Sequence, residues 1–392
     1  MKILQVLPTL SAGGAEGFVT NLGVSLAALG AEVRFFLLSG VRGERSRVLS
    51  RRLEDAGIEV DGREERAPAS VENLLRLARL IRSWKPEIVQ ANLYSTEVAC
   101  SAARFLSIGN NACYVRRLAN TDTREYCRFM DRFYRQTIAC SPAVAEAYRG
   151  FMGEKQKSKL ITIPNGGLLQ DAVTSTEERA QAREILGIPY RSFVVAHIGR
   201  MFPGGGRMNG GLETGQKAHD VLIRAFAMAF GSDSDSLLTM VGDGPSRPQA
   251  EALAKSLGIV KQIRFLGQQP EPWPVLKAAD MFCFPSRHEG SPNVLPEAAS
   301  CGLPVVASDI PEIRSLYPGD AWLLKPVNDV EAFANGLRTI RGNIEVFANK
   351  ARDLASGIRE RYSMKVCAAK YLQAYDQALG VKGSYEETEP PQ

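Results

Sequence analysis

The segment Ser286-Arg287-His288-Glu289-Gly290-Ser291-Pro292-Asn293-Val294-Leu295-Pro296-Glu297-Ala298-Ala299-Ser300-Cys301-Gly302-Leu303-Pro304-Val305-Val306 sets the fold class of this chain. The apolar run Met281 to Phe284 just before it reads as a buried strand that stops at Pro285. A short loop then carries Glu289, a helix carries Glu297, and Val305-Val306 opens the next strand. Proline is tolerated in a helix only where its missing N–H would be unpaired anyway, so Pro296 predicts a helix start near Pro292 or Asn293. Amides of the first turn then lie between the two carboxylates, where they can bind an anion. Such an arrangement suits a ligand with hydroxyls at both ends and a diphosphate between them, as in a nucleotide sugar. Two glutamates at this spacing also arise by chance on solvated helices. What separates this pair from that reading is its context of strand, Gly-Ser-Pro-Asn turn and helix.

The same segment resembles the E-x7-E signature of the retaining glycosyltransferases of family four, which have the two-domain GT-B fold. By that resemblance Glu297 holds the ribose hydroxyls of the donor and Glu289 the hydroxyls of the sugar being transferred. The amides of Gly290, Ser291, Pro292, Asn293 and Val294 would surround the diphosphate, Pro292 lending only its place in the turn. His197-Ile198-Gly199-Arg200 and Gln216-Lys217 resemble the family's two diphosphate-holding cations. A leaving nucleoside diphosphate gathers negative charge, which a fixed Arg200 and Lys217 stabilise without a metal. Gly13 and Gly14, in Ser11-Ala12-Gly13-Gly14-Ala15-Glu16, resemble the family's N-terminal loop near the donor diphosphate or the acceptor. Their spacing is not G-x-G-x-x-G, which disfavours a dinucleotide. Val241-Gly242-Asp243-Gly244-Pro245 matches the family's Gly-x-Gly-Pro turn.

Two departures stand out. A glycine-rich insertion, Met201 to Gln216, separates Arg200 from Lys217 and reads as a disordered segment or a flap. Many relatives carry a histidine after the third N-terminal strand, whereas this chain has Asn92-Leu93-Tyr94-Ser95 there. Asn92, Ser95 or Asn120 is then expected at the sugar. His197 and His219 read as structural, and His288 as a wall of the site.

Alternating short apolar runs and amphipathic stretches argue for an α/β protein of two doubly wound Rossmann-like domains facing across a cleft, the GT-B plan. The expected division is 1–168 as an acceptor-binding domain and 169–363 as the nucleotide-sugar-binding domain. A helix at 364–380 crosses back to the first, and 381–392 form a disordered tail. Asn165-Gly166 at the junction is compatible with a turn of positive φ.

Charge is uneven. Residues 1–168 carry 24 Lys+Arg against 17 Asp+Glu, while the rest carry 24 against 26. The basic half suits a glycan or lipid-linked acceptor and peripheral contact with an anionic membrane. No nucleic-acid-binding module accompanies it. Seven scattered cysteines without C-x-x-C spacing point to reduced thiols and a cytoplasmic protein, peripheral at the inner face of the membrane. No resident cofactor and no metal are expected, the nucleotide-sugar, a UDP-sugar by first choice, being a substrate. The expectation is therefore a metal-independent hexosyltransferase in polysaccharide or glycoconjugate synthesis. A GT-B relative of another class, a nucleotide-sugar epimerase or hydrolase, and a catalytically weak sugar-binding protein remain the alternatives.

Overall fold

The apolar runs of the sequence become two separate parallel sheets. The computed structural model describes residues 1–10, 14–40, 44–62, 70–107, 109–203, 211–316 and 322–381. The first sheet contains β1 (Lys2–Leu7), β2 (Glu32–Leu37), β3 (Glu59–Asp61), β4 (Ile88–Ala91), β5 (Cys113–Leu118), β6 (Gln136–Ala139) and β7 (Leu160–Thr162), in the order β3-β2-β1-β4-β5-β6-β7. The second contains β8 (Phe193–Ile198), β9 (Ser236–Val241), β10 (Ile263–Phe265), β11 (Met281–Phe284), β12 (Val305–Ser308) and β13 (Trp322–Lys325), in the order β10-β9-β8-β11-β12-β13. Neighbouring strands are parallel throughout, so helices must cover both faces, and central strands such as β4, β11 and β12 are wholly buried. Each sheet reverses its order once, between β1 and β4 and between β8 and β11. Ligands of open α/β sheets collect at such points, outside the carboxyl ends of the strands.

The chain forms two compact units, Met1–Leu168 with Tyr362–Gln392, and Leu169–Arg361. The helix Met364–Leu379 belongs to the core of the first unit, where Tyr371 and Tyr375 are fully buried and Phe18 lies 6.2 Å from the Tyr371 ring. A chain of side-chain hydrogen bonds ties this helix to β1 and β4. The Tyr375 hydroxyl donates to Gln90, whose amide donates to Asn92 Oδ1 at 2.8 Å, and Asn92 donates to Gln5 Oε1 at 3.0 Å. Asn92 is therefore enclosed and engaged within the core, which removes it from the residues expected at a sugar. Gly166 corrects another expectation. Its φ is not positive; a Cβ there would lie 2.6 Å from Cys367 Cβ, so glycine is needed for close approach to this helix.

The sequence pattern did not mark the edge strands β3 and β13, which are three and four residues long. In the insertion, Met201 and Leu212 are anchored in the core of the second unit, so its ends are ordered parts of the fold. Its residues 204–210, and the expected disordered tail from residue 382 on, lie outside the described residues. Among the described residues no helix is long and apolar enough to cross a membrane.

His197 on β8 and His219, which opens the helix His219–Phe230, form a buried pair with ring centres 5.0 Å apart. His197 Nδ1 lies 2.9 Å from the Cys283 carbonyl, while Nε2 of both rings has no hydrogen-bond partner among the described residues. Burial first, then the His219 charge, pushes His197 well below the ordinary histidine range. Burial likewise lowers His219 to about 4.

Two stability predictions follow from these cores. Tyr371→Ala should cost about 3–5 kcal/mol in urea denaturation, the range for removing a buried aromatic ring. For His219, the unfolded chain takes up a proton below its pKa of 6.5 that the folded chain refuses until about 4. Its stabilisation is thus complete above pH 6.5 and declines as pH falls towards 4, by about 3 kcal/mol, and His197 acts in the same direction. Denaturation midpoints of wild type and His219→Leu at several pH values between 7.5 and 5 should show the smaller slope in the variant.

Candidate active site

Because β8 and β11 are adjacent at the reversal of the second sheet, the loops leaving them meet. Gly199-Arg200 follows β8; residues 285–293 follow β11 and lead into the helix Val294–Ser300. That helix starts one or two residues later than the sequence suggested. Pro296 is its third residue, still within the turn whose amides have no intrahelical acceptor.

The structure brings Lys217 and Glu289 together. Lys217 Nζ donates to Glu289 Oε1 at 2.6 Å, with the side chains 17% and 6% exposed. Ser286 Oγ donates to the same oxygen, and the ammonium stands 4.7 Å from the centre of the Phe284 ring. A charge-assisted contact this short and sheltered is among the stronger kinds of hydrogen bond.

Its geometry depends on Arg287. The guanidinium donates to both oxygens of Asp220 at 3.0 and 2.9 Å, to the Gly215 carbonyl at 2.6 Å and to Asn328 Oδ1 at 2.7 Å. The Arg287 amide donates to the Gln216 carbonyl at 2.8 Å, and the Gln216 side chain returns a bond to the His288 carbonyl at 2.8 Å. The segment bearing Lys217 is thus stitched to the loop bearing Glu289. Ala218, directly after Lys217, sits at φ 47°, a left-handed conformation that costs an alanine about 1–2 kcal/mol. Backbone strain of this kind survives only where surrounding contacts impose it.

The remaining expected residues are more dispersed. Arg200 is exposed, its guanidinium 5.7 Å from the centre of the Phe202 ring, and no ion pair among the described residues joins it to Glu289. Its loop is braced from below by the Gly-Asp-Gly-Pro turn. Gly242 has φ 127°, and a Cβ there would meet the Gly199 carbonyl oxygen at 2.0 Å. Glu297 is the fourth residue of its helix and half-buried; Ser291, Asn293 and Val294 are partly exposed, while Gly290 and Pro292 are buried. Gly14 opens the helix Gly14–Ala28 in the other unit, and Gly13 lies outside the described residues.

Four neighbours went unnoticed in the sequence reading: Asp220, Ser286, Arg287 and Glu312. The first three were in view, but nothing in a linear pattern pairs position 220 with 287. Glu312, in the short helix after β12, is buried, and burial raises its pKa, with the charge of Glu289 adding to the effect. In the first unit, Tyr94, Ser95, Glu97, Asn120, Tyr126 and Tyr148 line a cavity of about 270 Å³ near the carboxyl ends of β4 and β5. Buried Arg116 steadies its wall, 2.7 Å from Asp131 and 3.7 Å from Glu97. Ser95 and Asn120, two of the three residues expected in place of the histidine, therefore face a common space.

Comparison with known proteins agrees with this plan. The family model Glycosyltransferase Family 4 matches residues 12–166, and Glycosyl transferases group 1 matches 207–343. The lipopolysaccharide core biosynthesis glycosyltransferase LpsD of Rhizobium meliloti (strain 1021) is 27% identical over 371 residues, 94% of this chain and 96% of that protein. The D-inositol 3-phosphate glycosyltransferase of Corynebacterium glutamicum (strain R) is 31% identical over 239 residues, 58% of this chain and 54% of that one. The crystal structure of Anabaena Alr3699/HepE in complex with UDP and glucose matches with a TM-score of 0.81 at 19% identity, covering 96% of this chain and 100% of that one. Two parallel sheets reversing at adjacent strands, with both family models matched in their places, leave one conclusion: the chain belongs to glycosyltransferase family four and has its two-domain GT-B fold.

Proposed function

We propose that the protein is a retaining glycosyltransferase that moves a sugar from a UDP-sugar to a glycan or lipid-linked acceptor in the cytoplasm, without a metal. The observation that carries this reading is the sheltered Lys217–Glu289 pair at the β8/β11 reversal, with the helix bearing Glu297 beginning beside it. Two comparisons support it: relatives named as glycosyltransferases of lipopolysaccharide core and inositol phosphate, and a structural neighbour holding UDP and glucose. Neither an epimerase nor a hydrolase appears among these relatives, and nothing favours a purely sugar-binding role.

In this reading Glu297 accepts hydrogen bonds from the ribose and Glu289 from the transferred sugar. Lys217 and Arg200 hold the diphosphate, together with amides between Gly290 and Val294. Gly13 and Gly14 serve the acceptor or the donor diphosphate. The acceptor hydroxyl attacks the anomeric carbon on the face that the diphosphate leaves. The bond from that carbon to the β-phosphate oxygen breaks, and the hydroxyl proton passes to a phosphate oxygen. No carboxylate nucleophile is needed. Negative charge grows on the departing phosphate, and preorganised cations lower the barrier because they need not reorient.

A thermal-shift screen over uridine, guanosine and adenosine diphospho-sugars should show the largest stabilisation with a uridine donor, since a ligand of the folded state raises its melting point. Lys217→Ala or Arg200→Ala should cut donor turnover about 100-fold or more, the scale of a lost electrostatic donor. Glu297→Ala should weaken UDP binding in calorimetric titration, while Glu289→Ala should mainly lower kcat. Unchanged UDP affinity in Glu297→Ala would refute this division of roles.

A further inference from the structure

Phe202, the second residue of the glycine-rich insertion, is an aromatic ring that the fold holds in place without burying. It is 49% exposed, whereas Met201 before it is fully buried. A single exposed ring is ordinary on a protein surface. This one rests on built supports. The Met201 amide donates to the Asp243 carbonyl at 3.0 Å, and the Met201 carbonyl accepts from the Ser246 amide at 3.0 Å. Gly244, at φ 152°, lies so close that a Cβ there would meet Phe202 Cδ2 at 2.9 Å and the Met201 carbonyl oxygen at 2.3 Å. A Cβ on Gly215, at the far end of the insertion, would meet the Phe202 carbonyl oxygen at 2.9 Å. Phe202 is thus wedged between the Gly-Asp-Gly-Pro turn and the segment that returns the chain to Lys217.

The ring's charged neighbour is Arg200, whose guanidinium lies 5.7 Å from the ring centre, within reach of a cation–π contact. Among the described residues that guanidinium has no hydrogen-bond or ion-pair partner. A long side chain left loose gives up much rotamer freedom when it grips a ligand, and holding it beforehand removes part of that cost. Lys217 shows the other way to hold a cation: its ammonium is already occupied by Glu289. A carboxylate beside Arg200 would likewise compete with an incoming anion. An aromatic face restrains the guanidinium and leaves its N–H donors unspent.

We propose that Phe202 is a positioning residue of the transferase, orienting Arg200 for the donor diphosphate. It acts on the cation and not on the reacting atoms. The insertion, otherwise unexplained, is thereby tied to the diphosphate end of the site. The inference rests on the reading of Arg200 as a diphosphate ligand.

Phe202→Leu keeps the apolar bulk and removes the π face, whereas Phe202→Tyr keeps both. The leucine variant should bind UDP about 3–10-fold more weakly in calorimetric titration and slow donor turnover by a similar factor. Uridine, which lacks the diphosphate, should bind it as it binds wild type, and Phe202→Tyr should restore both losses. Melting temperatures should hold, because the ring is half exposed. In a double-mutant cycle, Phe202→Leu should add nothing to the loss caused by Arg200→Ala. Wild-type UDP affinity and turnover in Phe202→Leu overturn the proposal. So does an equal loss for uridine, an equal loss in Phe202→Tyr, or a loss that adds in full to that of Arg200→Ala. The Arg200→Ala arm keeps the two readings apart. If it binds UDP and turns over like wild type, the diphosphate role of Arg200 falls and takes the proposal with it; if it is impaired while Phe202→Leu is not, the proposal falls alone.

Discussion

The hydrogen-bonding fork of Arg287 is the constraint on which the candidate site rests. Two oxygens of Asp220, the Gly215 carbonyl and Asn328 take up its donors, fixing a segment some seventy residues away in sequence. Without that fixation Lys217 would be a flexible surface lysine, and Glu289 a buried carboxylate with no cation beside it. A carboxylate so enclosed is costly unless paired and hydrogen-bonded, and here it has both Lys217 and Ser286. The strained backbone at Ala218 fits the same logic. The turn is held in place by its surroundings, so the lysine arrives already aimed.

Both units gather polar side chains at the carboxyl ends of parallel strands, the second at the reversal of strand order and the first one strand away from it, between β4 and β5. In the second unit the loops of β8 and β11 supply charge, arranged around Glu289. In the first, the loops after β4 and β5 supply tyrosines, an asparagine and a serine around an open cavity, with the arginine behind its wall neutralised by Asp131 and Glu97. The first cavity is richer in hydroxyl and amide groups, though Glu97 and Arg117 also line it.

Much of this was readable from the residues in order. Buried parallel strands are continuous apolar runs, so the central strands declared themselves, and the glutamate pair announced a strand, a turn and a helix. Where the reading stopped, the missing information was three-dimensional. The edge strand β3, Glu59-Val60-Asp61, carries one apolar residue and leaves no clear run. The pairing of Asp220 with Arg287 depends on two loops converging, which no spacing encodes. Gly166 was open to a turn reading, yet its neighbour across space is Cys367, two hundred positions on. Asn92 sat where a sugar contact was expected, but the hydrogen bonds of Gln5 and Gln90 engage it inside the core.

The return of the C-terminal helix to the first unit has a consequence for how the chain is made. The helix Met364–Leu379 completes a core whose other members lie in the first 168 residues, and the whole second unit is synthesised in between. At ordinary translation speeds that interval lasts on the order of 10–40 s. During it the nascent first unit presents an unfilled groove beside the helix Gly14–Ala28, while its successor can already close on itself. Biogenesis of this enzyme therefore runs against the usual order, with the later-born unit able to mature before the earlier one.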